Sequence, residues 1–335
     1  MPSALRTFLP LALLALAAAS HAKTEDVISL ALPIRCQPGV NCFVQNYLDH
    51  DTSEKARDFR CGARTYNGHD GTDIRIRNLE IQRQGVEVLA AAPGRVVGMR
   101  NDMEDVSVRI VGKAAVAGKE CGNGAVIEHD GGWRTQYCHM AKGSVRIKPG
   151  DRIATEQPIG LVGLSGDTEF FHLHFTVRYR GKAVDPFAYG ASEDSCGGGR
   201  SLWAAALVNQ MQYRPREIID FGFTGINPTM DLVESGKAAS IAVMPNSDAL
   251  VAYVRTIGLQ TGDQQFLSVQ GPDGAPFAAY NPAALDADKA QFLISTGRKR
   301  TEPAWSAGIY TATYRVMRDG TEVLRKTFDV ETGAR

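Results

Sequence analysis

The chain has 335 residues, 44% of them hydrophobic, and its 37 lysines and arginines balance 37 aspartates and glutamates. A formal charge of zero excludes the broad basic field on which non-specific nucleic-acid binding depends, and the balance holds along the chain: 22 basic and 23 acidic side chains fall in 23–198 and 14 of each in 199–335. The length suits about two domains, since single cores stop growing near 250–300 residues, and 34 glycines with few amphipathic helical stretches point to a mainly β chain.

Taken in order, residues 1–22 read as a secretory signal. Arg6 supplies the positive start, 8–19 is an apolar run rich in Leu and Ala, and Ser20-His21-Ala22 sets small residues at the cleavage point. The apolar run is shorter than the roughly 20 residues a spanning helix needs. A mature chain starting near Lys23 is expected, periplasmic or secreted, with no membrane span. Residues 23–60 read as an N-terminal extension: a strand-like run over 27–34, a cysteine-bearing loop, then the polar segment 49–60. From 61 to 191, short apolar runs such as 86–92 and 95–100 alternate with turns such as Pro93-Gly94 and Pro149-Gly150-Asp151, the pattern of antiparallel β-structure. The glycines at 160, 163 and 166 belong to a tight turn rather than a phosphate loop, because no Lys-Ser/Thr follows them. Residues 192–235 read as a linker region opening on Gly197-Gly198-Gly199. Beyond it, 236–335 carries strand patterns at 240–243, 250–257, 265–270, 310–317 and 322–330, with Asp319-Gly320 as a hairpin turn, so an immunoglobulin-like β-sandwich is expected there.

Export changes the meaning of the six cysteines, at 36, 42, 61, 121, 138 and 196. An even number without a CxxC pair predicts three disulfides, for which fifteen pairings exist. Local geometry suggests one of them. Residues 125–130 and 133–139 flank Gly131-Gly132 as a hairpin, which sets Cys138 opposite Ala125 and a short loop from Cys121.

The chemistry lies in the histidines. Residues 69–73 read H-x-G-x-D, Tyr137-Cys138-His139 ends a predicted strand, and 172–174 read H-x-H inside an apolar run. Alternation along a strand puts His172 and His174 on one face and Leu173 and Phe175 on the other. His129, beside the hairpin turn, is expected at the surface. A catalytic zinc takes three protein ligands and keeps a fourth position for water, and two histidines with one carboxylate meet that need. The three motifs fill those roles and leave two imidazoles over for proton transfer or oxyanion stabilisation.

With these motifs in this order, the chain resembles the lysostaphin and LytM-type zinc metallopeptidases, which hydrolyse peptide bonds in peptidoglycan cross-links. The likeness runs from about 66 to 187 and includes H-x-G-x-D, the stretches 88–96, 148–153 and 159–166, and the H-x-H strand. It implies that 61–191 is an antiparallel-sheet metallopeptidase domain holding one zinc ion per chain through His69, Asp73 and His174. It further implies that His139 and His172 are the catalytic pair, that water activated by the ion attacks an amide carbonyl without an acyl-enzyme, and that peptidoglycan stem or cross-link peptides are the partners. Two stretches depart from the family pattern, 78–84 and the long loop 101–124, and both reshape groove walls. Some family members have lost ligands and activate cell-wall amidases; here all five side chains are present, which favours an enzyme over a non-catalytic wall-binding module or a structural zinc protein. Residues 36–60 either cover part of the groove or pack beside it under a disulfide.

Overall fold

The short apolar runs between residues 42 and 184 pair almost entirely into one antiparallel sheet. In the computed structural model, which describes Met1, 27–192 and 195–333, the strands are β1 (Cys42–Asn46), β2 (Thr72–Ile76), β3 (Glu87–Leu89), β4 (Gly94–Arg100), β5 (Asn123–Glu128), β6 (Trp133–Met140), β7 (Arg152–Ile153), β8 (Pro158–Leu161), β9 (His172–Tyr179) and β10 (Lys182–Val184). The large sheet runs β1-β2-β9-β6-β5-β4-β7 with β10 beside β9, while β3 and β8 pair separately. Alternation decides its two faces. Ile74, Tyr137, Leu173, Phe175 and Val177 point into a buried core, and each fully buried side chain of this size contributes about 1.5–3 kcal/mol. Asp73, His172 and His174 are left on the opposite face.

The second unit is a sandwich. Strands β11 (Glu217–Thr224), β12 (Ala249–Leu259), β13 (Gln264–Gln270), β14 (Pro276–Tyr280), β15 (Lys289–Lys299), β16 (Gly308–Arg318) and β17 (Thr321–Thr332) form a three-stranded sheet, β11-β12-β15, and a four-stranded one, β14-β13-β16-β17. Leu250, Ala252 and Val254 of the first sheet and Leu267, Val269, Tyr314 and Val316 of the second belong to one core cluster. Asp319 and Gly320, with φ of 50° and 77°, make the tight turn between β16 and β17.

Several expectations shift. The expected signal segment lies outside the described residues except for Met1. Residues 27–34 form no strand; Leu30 and Ile34 each make a single bridge and are fully buried, so this run plugs the core rather than extending a sheet. The extension 23–60 supplies β1, an edge strand of the main sheet, and the stretch 192–235 holds β11, whose apolar residues pair with β12. Residues 240–243 begin at the end of a short helix, Lys237–Ser240, and form no strand. The 78–84 stretch is a helix, Leu79–Gln84, whose first turn Asn78 caps by accepting a hydrogen bond from the Ile81 N–H.

Three disulfides join Cys36–Cys42, Cys61–Cys196 and Cys121–Cys138. The last is the pair suggested by the hairpin, but the register is one residue off: the turn takes three residues, 130–132, with the His129 N–H donating to the Trp133 carbonyl, so Ala125 faces Tyr137, and an irregularity follows between Asn123 and Ala125. Gly124 makes that irregularity feasible, since a Cβ there would lie 1.9 Å from the Tyr137 carbonyl oxygen.

The two units meet through buried arginines. Arg255 on β12 is fully buried, and its guanidinium donates to Glu234 at 2.7 Å, to Gln291 at 2.8 Å and to the Arg77 carbonyl, just past β2, at 3.2 Å. An Arg255→Met substitution is expected to lower unfolding stability by about 2–4 kcal/mol, towards the lower end of the cost of breaking a fully buried pair because Glu234 keeps some solvent contact. Urea denaturation of the two proteins measures the difference.

Candidate metal centre

The site grows out of strand register. Asp73 on β2 lies directly opposite His174 on β9, and Cys138 on β6 faces His174 from the other side. His69 reaches the same point from the turn before β2. Three atoms converge: Asp73 Oδ1 lies 2.9 Å from His174 Nδ1 and 3.1 Å from His69 Nε2, and those two nitrogens are 3.2 Å apart. Gly71 permits the approach, because a Cβ there would meet the His174 ring at 2.7 Å and the Phe175 carbonyl oxygen at 2.8 Å.

Each of these side chains is aimed by a second partner. His69 Nδ1 faces the Tyr47 carbonyl at 2.6 Å, and donation there leaves its Nε2 lone pair free. His174 Nε2 faces Asp70 at 3.2 Å and the Thr176 hydroxyl at 3.0 Å, which turns Nδ1 towards the convergence point. Asn46 of β1 donates to Asp73 Oδ2 at 2.8 Å and leaves Oδ1 directed inward. Residues 46–49 therefore brace the site from beside it: Asn46 and Tyr47 hold two of the converging side chains, and Asp49 accepts from the Gly68 N–H at 2.9 Å.

The second pair of imidazoles lies alongside. His172 Nε2 is 3.2 Å from Asp73 Oδ1, and its Nδ1 faces the Phe170 carbonyl at 2.9 Å. Strand alternation would send His139 into the core after Cys138. Instead its φ of 61° breaks the alternation and turns the ring back to the site, with Nδ1 donating to the Ser165 carbonyl at 2.8 Å and the ring centroid 4.7 Å from that of His172.

Electrostatics follow from burial and crowding. Burial opposes the charge of Asp73, but the imidazoles of His69 and His172 outweigh it and hold the carboxyl well below the usual carboxylate range. Burial also opposes a charged His174, yet its hydrogen bonds to Asp70 and Asp73 push its pKa up to about 9, while Asp70, accepting from His174, falls to about 2. For His139, burial and then the neighbouring His172 and His174 drive the pKa well below the ordinary imidazole value. At neutral pH His139 is an uncharged ring.

Among the described residues, two groups of side chains could hold a metal ion, His69–Asp73–His174 and His139–His172–His174, sharing His174. Only the first carries a carboxylate. Its two nitrogens and one oxygen match the donor set of a catalytic zinc, and ligand bonds of about 2.0–2.1 Å in a tetrahedron set neighbouring donors about 3.3–3.4 Å apart, a few tenths beyond the distances here. The residues fit the ion.

All five side chains expected from the sequence thus meet at one point, beside a cavity of about 300 Å³ whose walls include Tyr66, Glu120, Gln136, Asp167 and Arg178. A larger cavity, about 900 Å³ beside Pro93 and Arg152, contains none of the five. His129 lines it, and contrary to expectation is buried: its ring nitrogens lie 2.7 Å from the Pro93 carbonyl and 2.8 Å from the Thr135 hydroxyl, so it joins strands rather than facing solvent. Sequence reasoning gave no role to Tyr66, whose ring lies 4.5 Å from that of His69, or to Asp70. Asp70 adjoins His69 within the motif, and that adjacency was its available signal.

Fold and site together define an antiparallel-sheet protein in which two histidines and one carboxylate converge as a metal ion would require. The model of peptidase family M23 matches residues 67–186, and the chain is 31% identical over 110 residues to Lipoprotein NlpD of Yersinia enterocolitica, across 32% of this chain and 91% of that protein. The chain belongs to peptidase family M23. It is 38% identical over 76 residues to Peptidoglycan DD-endopeptidase ShyB of Vibrio cholerae (22% of this chain, 17% of that protein), and 29% identical over 126 residues to Murein hydrolase activator NlpD of Escherichia coli (36% and 26%). The chain thus spans about a quarter or less of these two relatives. The catalytic domain of lysostaphin from Staphylococcus simulans is 22% identical over 42% of this chain and 85% of that chain, with a TM-score of 0.27.

Proposed function

We propose that the chain is an exported zinc metalloendopeptidase that hydrolyses amide bonds in peptidoglycan cross-links. The observation that carries this reading is the convergence of His69, Asp73 and His174 with two further imidazoles beside an open groove. Zinc held by the three would supply Lewis-acid polarisation of the scissile carbonyl and an activated water. His139, neutral and with Nε2 directed inward, is the residue to accept the proton of the attacking water and pass it to the leaving amine. His172, fixed through its Nδ1 by the Phe170 carbonyl, is placed to stabilise the developing oxyanion. Extracytoplasmic action agrees with three disulfides.

The test is digestion of purified peptidoglycan with and without a chelator, after zinc quantification. New amine termini without new reducing ends exclude a glycan hydrolase, and amines on cross-link residues rather than on the first residue of the stem identify an endopeptidase. The similarity to a murein hydrolase activator supports a second reading, a wall-binding activator. Stimulation of an added amidase with no cleavage by the chain alone would establish it and overturn the first. Within the enzyme reading, Asn46→Ala is expected to weaken zinc binding by about 10–100-fold, because Asp73 loses the partner that orients it. Competition with a chromogenic chelator measures that shift.

A further inference from the structure

We propose that the Cys121–Cys138 disulfide, with the end of the long 101–124 loop that it closes, is a positioning clamp for His139. The inference rests on the reading of His139 as the proton-transferring residue.

His139 occupies the left-handed region, a conformation that is unfavourable for a non-glycine residue and persists only where the surroundings hold it. Those surroundings are specific. The His139 N–H donates to the Cys121 carbonyl at 2.8 Å, its own carbonyl accepts from the Gly163 N–H at 2.9 Å, and its ring donates to Ser165. Each of these three hydrogen bonds of His139 thus lands on one of two segments, 120–123 or 163–167.

These segments are locked to each other. The fully buried Ser165 hydroxyl donates to the Met140 carbonyl at 2.7 Å and accepts from the Asn123 N–H at 2.8 Å, and the Asp167 N–H donates to the Glu120 carbonyl at 2.8 Å. Their backbones touch: a Cβ on Gly122 would lie 2.3 Å from the Ser165 carbonyl oxygen, and one on Gly166 would lie 2.2 Å from that of Glu120. The disulfide ties this assembly to Cys138, the residue immediately before His139. Cys138 also faces His174 across the sheet, so the bridge forms part of the groove wall beside the imidazoles. Without the bridge, the Cys121 carbonyl would be held near the His139 N–H by hydrogen bonds alone, with no covalent tie to β6, and the turn that aims the ring could relax towards ordinary strand geometry.

The role is one of positioning, since neither sulfur touches the reacting atoms. It is tested on the zinc-loaded full chain with the double variant Cys121→Ala/Cys138→Ala. The expected result is one zinc per chain, KM on a defined cross-linked muropeptide within about twofold of the parent, and kcat lowered about tenfold to a hundredfold, the scale of a misplacement near 1 Å. Amide exchange at His139 should accelerate while that at His174 stays unchanged. Unchanged kcat, unchanged exchange at His139, or a loss of zinc that accounts for the lost rate would each overturn the clamp. Should the double variant fail to fold, Ser165→Ala keeps the bridge and removes only the hydroxyl link, with the same two readouts expected to move in the same direction. Exchange at His139 is independent of turnover. A parent chain that cut no peptidoglycan would defeat the functional reading, and the exchange measurement would still decide whether the bridge holds His139.

Discussion

An Asp73→Ala variant is expected to carry no stoichiometric zinc at micromolar metal and to digest peptidoglycan no faster than the chelated parent. The carboxylate is the one anionic donor among the three converging atoms, and its Oδ1 lies 2.9 and 3.1 Å from the two imidazole nitrogens. Removing an outer partner of a metal ligand typically costs about 10–100-fold in affinity, so removing the ligand itself must cost more. It also leaves two imidazoles to hold a dication in a buried place without an anionic ligand, the nearest remaining carboxylate being Asp70, behind His174. Asp73→Asn separates shape from charge, since it preserves the volume and the contact with Asn46 while neutralising the group. Metal analysis by mass spectrometry and amine release from peptidoglycan give the two readouts. Retention of one zinc with normal turnover in both variants would move the ion to His139–His172–His174, the alternative group that shares His174.

The parts of this site that depend on strand alternation are legible in the sequence. His172 and His174 share a face because Leu173 and Phe175, between and beyond them, are drawn into the core, and the pairing of β2 with β9 then sets Asp73 against His174. Glycine at 71 reads as a turn residue, and the structure adds that the ring of His174 fills the space its side chain would take. Other parts depend on contacts that local pattern does not encode. The inward turn of His139 comes from a positive φ at a non-glycine residue, which has no sequence signature and is imposed by segments 120–123 and 163–167. His129 looks like a surface residue beside a hairpin until the Pro93 carbonyl, from a distant strand connection, is placed against it. The role of β1 is hidden for the same reason: Asn46 matters because it lies across from Asp73, 27 residues away. In the second unit the strand at 310–317 stands out by alternation and that at 250–257 by a largely apolar run, whereas β11 lies in a stretch whose glycines suggest a linker.

His139→Ala is the sharper test of mechanism, because it should leave the metal in place. His139 supplies none of the three mutually close donors of the His69–Asp73–His174 group, so zinc content should remain at one per chain. Turnover should fall by about 10²–10⁴-fold, the usual contribution of a positioned general acid or base. KM should change little, since the ring is engaged with the proton in flight rather than with the bound peptide, and an interaction made only in the transition state lowers kcat and kcat/KM together. The direction of the pKa shift bears on the outcome. Burial and the neighbouring imidazoles keep His139 uncharged at neutral pH, so its Nε2 lone pair is available without prior deprotonation, and a dication nearby disfavours its protonation further. A His139→Gln variant can still donate a hydrogen bond but cannot accept and return a proton. If His139 acts by proton transfer, Gln should be as impaired as Ala. If it acts instead as a hydrogen-bond donor to the oxyanion, Gln should recover much of the rate, and the proton-transfer role would then pass to His172.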